Sequence, residues 1–180
     1  LPDHLVSLGR TVGIPSNGAV SNLSLFPSGV QRLRRELEQG EFDVVNVHEP
    51  VAPAISWDAL EHSGAALVGT FHTYFEGGHW GYKYLFAYVR SATARTDRLI
   101  AVSDACVTAL RPYFGDARFD IIPNGVDADL YRPLAAGEGR PGGPPRILFM
   151  GRFDPRNGLD TLLEATRILK ATCPGAKVSG

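Results

Sequence analysis

The feature that most constrains this chain is the alternation of short, β-rich apolar runs with helical stretches, the rhythm produced when parallel strands are joined by crossover helices. Strands are predicted at 43–47, 66–71, 98–102, 119–122 and 146–150, with helices at 28–39, 52–62, 79–95, 103–114 and 159–171. The expected fold class is therefore α/β with a parallel sheet. On the first helix Val30, Leu33 and Leu37 share a face, and Gly40 stands where a left-handed cap often closes a helix. Ser103 is suited to accept a backbone N–H as an N-cap, and Asp104 favours the positive end of the same helix. The terminal run "GAKVSG" opens a further strand.

The charge balance removes some functions. With 18 basic and 19 acidic residues the formal net charge is -1, so no whole-chain field argues for a nucleic-acid partner. The 44% hydrophobic content supports a sizeable core without a long apolar run. Cys106 and Cys173 form no CxxC pair, which argues against a disulfide framework or a zinc site. No metal is expected, and a reducing, cytoplasmic compartment fits this usage. The chain begins at Leu1 and stops within a strand-like run, so truncation at both ends is expected. Residues 133–145, "PLAAGEGRPGGPP", are too rich in Gly and Pro to order themselves, and read as a linker. The domains expected are 1–132, this linker, and the start of a second domain at 146–180.

Three motifs are discarded on context. Gly137, Gly139 and Gly142 have the spacing of a dinucleotide fingerprint, but they precede a strand and enclose Pro141, which weakens a nicotinamide dehydrogenase reading that rests on the α/β pattern. "HEPVA" lacks the second histidine that a helical zinc-protease motif requires. The sequon at Asn22 has no other sign of secretion beside it.

In open parallel sheets, ligands bind beyond the carboxyl ends of the strands, where loops and helix N-termini converge. Each predicted strand is followed there by residues with chemical capability: His48-Glu49, His72-Thr73, Ser103-Asp104, Asn124-Gly125 and Gly151-Arg152. Five such coincidences point to one cleft rim.

The ordered segments "FDVVNVHEP", "VGTFHT", "RLIAVSDA", "IIPNGVDADLY" and "ILFMGRFDPRNGLDTLLEA" make the chain resemble the family-four retaining glycosyltransferases, and within them the phosphatidylinositol mannosyltransferase branch. This resemblance implies a GT-B-type fold, in which two Rossmann-like domains face across a cleft. It implies transfer of a hexose, mannose from GDP-mannose being the leading case, from a nucleotide sugar to a hydroxyl acceptor such as phosphatidylinositol, with no other cofactor. By itself the fragment is expected to be inactive. The alternatives are a UDP-sugar-dependent transferase with a soluble acceptor, and a non-catalytic sugar- or nucleotide-binding relative.

His72 is the leading catalytic candidate, since its side chain leaves the sheet where the transferred sugar should lie and the matching histidine of the family contacts sugar or acceptor. His48, Glu49 and Thr73 are assigned to the acceptor side, where Glu49 can accept hydrogen bonds from hydroxyls. Asn124 has a supporting role, a tight turn being enough to explain Asn124-Gly125. Gly151 and Arg152 are placed to hold the donor diphosphate, the guanidinium stabilising charge as it grows on the leaving phosphate. The family pattern has a lysine where this chain has Asn157, and the adjacent Arg156 is the candidate substitute, although arginine and lysine are not equivalent. A carboxylate nucleophile would have to come from Glu49 or Asp104, candidates by location alone. The resemblance implies instead attack on the face from which the leaving group departs.

Lipid-modifying relatives use a basic amphipathic helix at the site matching 28–39, which implies peripheral contact with the inner face of the plasma membrane. Here Glu36 and Glu38 interrupt Arg32 and Arg35, so an ordinary solvated helix is the simpler expectation. The aromatics Trp80, Tyr82, Tyr84, Phe86 and Tyr88 in 79–95 are expected in the core.

Overall fold

A computed structural model describes residues 4–16, 19–75, 80–133, 135, 142–151 and 157–180. Its central element is a four-stranded parallel sheet of β3 (Val44–His48), β4 (Ala66–Phe71), β5 (Arg98–Ala101) and β6 (Asp120–Ile121), in that spatial order. The register sets Val47 beside Gly69, His48 beside Thr70 and Phe71 beside Ala101. The strands therefore end together and form one carboxyl edge. The connections are helical: α2 (Ile55–His62) between β3 and β4, α3 (Trp80–Thr93) between β4 and β5, and α4 (Asp104–Phe114) between β5 and β6.

Ahead of the sheet lie an antiparallel hairpin, β1 (Val12–Ser16) with β2 (Ala19–Leu23), and helix α1 (Pro27–Gln39). The hairpin was not expected, although Asn17-Gly18 between its strands is the strongest short hairpin signal a sequence carries. Helix α1 opens on Pro27, whose missing N–H would have had no intrahelical partner there. Its end corrects the expected left-handed cap. Gly40 is right-handed, with φ -83°, and donates its N–H to Glu36 O. Glycine is required instead by crowding, because a Cβ at 40 would collide with the Phe42 ring and the Glu36 carbonyl.

The predicted helix 52–62 begins at Ile55. Pro53 disfavours a helical residue before it, and Ala54 takes φ +66°, so the chain turns through 49–54 before it winds. Helix α4 starts as expected, with Ser103 Oγ accepting the Cys106 N–H at 3.2 Å.

The core of this unit lies in two clusters. Phe71, Val89, Cys106 and Leu110 are fully buried in the first, together with Phe75, Tyr82 and Ala101. Phe71 meets Phe114 and Phe119 edge-on at 5.4 and 5.9 Å, an arrangement the ring quadrupoles favour. Val47, Ala59, Leu60 and Leu67 form the second cluster, against which Leu33 of α1 packs. Of the aromatic run in α3, Tyr82 is in the core and Tyr88 is half-buried, but Tyr84 is 75% exposed. The side chains of Trp80 and Phe86 lie outside the described residues.

The chain divides into two compact units, Leu1–Gly125 and Val126–Gly180. The second contains β7 (Arg146–Leu148), α5 (Leu159–Thr172) and β8 (Lys177–Ser179), with β7 and β8 parallel and Ile147 beside Val178. It is a second β-α-β element, and β8 is the strand anticipated in "GAKVSG". Gly158, at φ +74°, turns the chain into α5. Most of the expected linker, 134 and 136–141, lies outside the described residues.

Candidate functional site

Residues from β3 and β4 converge at the carboxyl edge. His48 is the last residue of β3, and His72 follows β4 directly, so parallel pairing brings both side chains to one end of the sheet. His48 Nδ1 and His72 Nε2 are hydrogen-bonded at 2.7 Å, and the rings meet edge to edge with centroids 4.9 Å apart and planes 19° from parallel. Neither His48 Nε2 nor His72 Nδ1 bonds to any of the described residues.

Glu49 is held in the left-handed region, at φ +51°, a conformation that costs a residue with a Cβ roughly 1–2 kcal/mol. Its N–H is bound to Thr70 O at 2.8 Å and its carbonyl receives the Ala52 N–H. So constrained, its carboxylate reaches the neighbouring loop, where Oε1 accepts the His72 N–H at 2.9 Å and the Thr73 hydroxyl at 2.6 Å. The oxygen expected to greet an acceptor hydroxyl thus holds the His72 loop, and Oε2 accepts no hydrogen bond among the described residues. Thr70, buried one strand residue earlier, donates its hydroxyl to Asn46 Oδ1 at 2.8 Å. Neither Asn46 nor Thr70 was singled out in the sequence, because a strand polar residue gives no sign of its partner.

Cys106 closes the back of this loop. Its Sγ lies 3.5 Å from both Phe71 O and Thr73 O. Burial, reinforced by the Glu49 carboxylate, pushes the thiol up to about 11, so it stays protonated and serves as a donor to carbonyls. Burial also raises the Tyr82 hydroxyl, with Glu49 again contributing.

Asn124 is exposed three residues beyond β6 and hydrogen-bonds to none of the described residues. Since β6 is two strands from β4, its end lies about 10 Å across the sheet from His72, at 4.8 Å per strand. Asn124 therefore shares the edge with the histidines but not their contact. The Ser103 hydroxyl is committed to capping α4, and Asp104 is exposed in its first turn.

In the second unit Gly151 and Asn157 come together, with Asn157 Nδ2 3.5 Å from where a Cβ on Gly151 would stand. They bracket the segment that carries Arg152 and Arg156. Both arginines lie outside the described residues.

A second polar cluster, absent from the sequence expectations, ties α1 to α2. The buried Asp58 carboxylate receives Arg34 Nη2 at 2.6 Å and Nε at 3.0 and 3.1 Å, with His62 Nδ1 at 3.2 Å. The carboxylate raises the pKa of the Arg34 guanidinium through this bonding. Arg34 is thereby committed to α2, while Arg32 makes only a 3.8 Å pairing with Glu36 along the helix. Next to this cluster Tyr88 donates to Glu61 at 2.6 Å.

A cavity of about 240 Å³ opens at the amino ends of β5 and β6, lined by Thr96, Asp97, Arg98, Arg118 and Asp120. It is at the opposite end of the sheet from the histidines, and Asp97 there is occupied with the Leu67 N–H. Among the described residues no group of three or more His, Cys, Asp or Glu could hold a metal ion, and no helix is long and apolar enough to cross a membrane.

A parallel sheet of this kind, with polar side chains gathered at its carboxyl edge, is the α/β architecture of a Rossmann-like GT-B domain. The family model described as Glycosyltransferase Family 4 matches residues 2–130, and the chain belongs to that family. A phosphatidyl-myo-inositol mannosyltransferase of Mycobacterium tuberculosis is 36% identical over 175 residues, covering 92% of this chain and 43% of that protein. The protein of the same name from Mycolicibacterium smegmatis is 34% identical over 188 residues, covering 99% and 46%. A D-inositol 3-phosphate glycosyltransferase of Actinosynnema mirum is 29% identical over 189 residues, covering 97% and 45%. The chain thus spans less than half the length of these relatives.

Proposed function

We propose that the protein containing this chain is a retaining glycosyltransferase that moves a hexose from a nucleotide sugar to a hydroxyl of an inositol-bearing acceptor. The observation that carries this reading is the cluster of His48, Glu49, His72 and Thr73 at the carboxyl edge of a parallel sheet in a family-four chain. Both sets of relatives carry inositol in the name of their activity, and the more similar set, at 33–36% identity, acts on phosphatidyl-myo-inositol. These similarities favour mannose as the transferred group and the inositol lipid as acceptor, and GDP-mannose is the donor proposed. An inositol-lipid acceptor would bring the protein to the inner face of the plasma membrane as a peripheral enzyme.

In the reaction proposed, the acceptor oxygen bonds to the anomeric carbon while the bond from that carbon to the phosphate oxygen breaks. The departing phosphate takes the acceptor proton. His72 would contact the sugar, and Thr73, held by Glu49, would line the acceptor side with His48; Asn124 would support it from the same edge. Gly151 and Arg152 would meet the diphosphate, where a fixed cation stabilises the developing charge. The protein would need the nucleotide sugar as substrate and no further cofactor, and catalysis would rest on positioning and phosphate-charge stabilisation.

The test is incubation of the complete protein with GDP-mannose or UDP-sugars and with phosphatidylinositol or inositol 3-phosphate, followed by mass spectrometry and assignment of the anomeric configuration. Mannosylated lipid with retained configuration supports the reading. Transfer from a UDP-sugar to the soluble acceptor establishes the alternative transferase. Asn157 in place of the lysine favours a second reading, a non-catalytic binding relative with Arg156 an incomplete substitute. Turnover that arises only in the Asn157→Lys variant would establish that one.

A further inference from the structure

The histidine pair has more structure than two ligands placed side by side. A 2.7 Å contact between two ring nitrogens holds one proton between them, because each neutral imidazole has one donor nitrogen and one acceptor nitrogen. Whichever ring donates, His72 Nε2 is occupied, and the only His72 nitrogen left for a ligand is Nδ1. Two further constraints fix the ring. The His72 N–H is held by Glu49 Oε1, and its ring plane lies within 19° of the His48 ring plane.

We propose that His48 is a positioning residue for His72: by bonding Nε2 it ties the His72 tautomer to its own and aims Nδ1 at the sugar. The neutral pair then offers one donor and one acceptor at its two outward nitrogens, His72 Nδ1 and His48 Nε2. That is the complement of a hydroxyl, which also donates and accepts. This role deepens the transferase reading and rests on it for the identity of the ligand, but the tautomer itself can be measured without any ligand.

The experiment is imidazole 1H–15N correlation spectroscopy on the 180-residue chain with 15N-labelled histidine. In the unaltered chain the His48 and His72 shifts should be complementary, donor character at His48 Nδ1 matched by acceptor character at His72 Nε2 or the reverse. In His48→Phe, which keeps a planar ring but has no ring nitrogen, the two His72 shifts should move towards each other as its tautomers average. His48→Asn places a polar atom near the Nδ1 position and should restore separated shifts, whereas His48→Gln places it too far out and should not. If His48→Phe does not fold, the Asn and Gln variants decide between the outcomes. Unchanged His72 shifts in His48→Phe, or equal shifts in the Asn and Gln variants, would overturn the role whatever the complete enzyme does.

In the complete enzyme, His48→Phe should lower kcat about tenfold, the effect of losing one oriented hydrogen bond, with less than about twofold change in the nucleotide-sugar KM. His48→Asn should recover most of that loss. Tautomer selection without any transferase activity in the unaltered complete enzyme would leave His48's positioning of the His72 tautomer intact and refute the transferase reading.

Discussion

Glu49 and Thr73, on loops that follow adjacent parallel strands, are joined by a 2.6 Å hydrogen bond from hydroxyl to carboxylate, and the same carboxylate oxygen holds the His72 amide. A left-handed glutamate thus organises the loop that presents the candidate catalytic histidine. Glu49→Ala should cost about 1–3 kcal/mol, the range for leaving hydrogen-bonding partners unsatisfied, and the alanine, which keeps a Cβ, gains no relief at that backbone angle. Glu49→Gln, which keeps the acceptor, should cost less. Urea unfolding measures both, and amide exchange at His72 should speed up in the alanine variant alone.

His72 is half-buried, and its side chain is hydrogen-bonded only to another histidine among the described residues. Under the transferase reading His72→Ala should reduce kcat in the complete protein by roughly 10- to 100-fold, equivalent to about 1.4–2.8 kcal/mol, while the unfolding midpoint changes little. Loss of fold with loss of activity would reassign His72 to structure.

Arg34 and Asp58 carry the α1–α2 contact, and they should do so as a unit. Arg34→Ala leaves a buried carboxylate with His62 alone, so it should lower the urea midpoint. Arg34→Ala combined with Asp58→Ala should be less destabilising than the two single effects added together, because the second change removes the orphaned charge. Additive effects would mean that the two side chains do not interact in solution.

Cys106 predicts an alkaline loss of stability. Its thiol is raised in the folded protein from 9.0 to about 11, so the native state favours the protonated form. That contribution is complete below pH 9 and is lost as pH rises towards 11. The stability difference between the unaltered chain and Cys106→Ala, measured by urea unfolding, should narrow across that window and be constant from pH 6 to 8. At pH 8 an alkylating reagent should modify the half-buried Cys173 well before Cys106.

Gly29 is the one buried residue of α1, and a Cβ there would press on the Leu8 carbonyl and the Ser24 hydroxyl. Gly29→Ala should destabilise the chain despite a helix-propensity gain of about 1 kcal/mol, since a backbone carbonyl must move to admit it. A rise in thermal midpoint would show that the 4–11 segment does not pack on α1 in solution.

The parallel sheet was legible in the amino-acid order because strand and helix periods are local properties, written into 43–47, 66–71 and 98–102 by which residues must face a core. The carboxyl-edge placement of His48 and His72 followed from the same rule, since a strand's direction decides where its last side chain lies. The helix cap at Ser103 was equally local. What depends on register was not legible. That His48 meets His72 through particular nitrogens, that Glu49 folds back onto Thr73, and that Arg34 finds Asp58 are all contacts between residues 23 or 24 positions apart. No sequence period encodes such a pairing. Only strand alignment and helix docking bring those groups within hydrogen-bonding distance, because a shift of one residue in β3 against β4 would move His48 about 3.3 Å and turn it to the other face of the sheet.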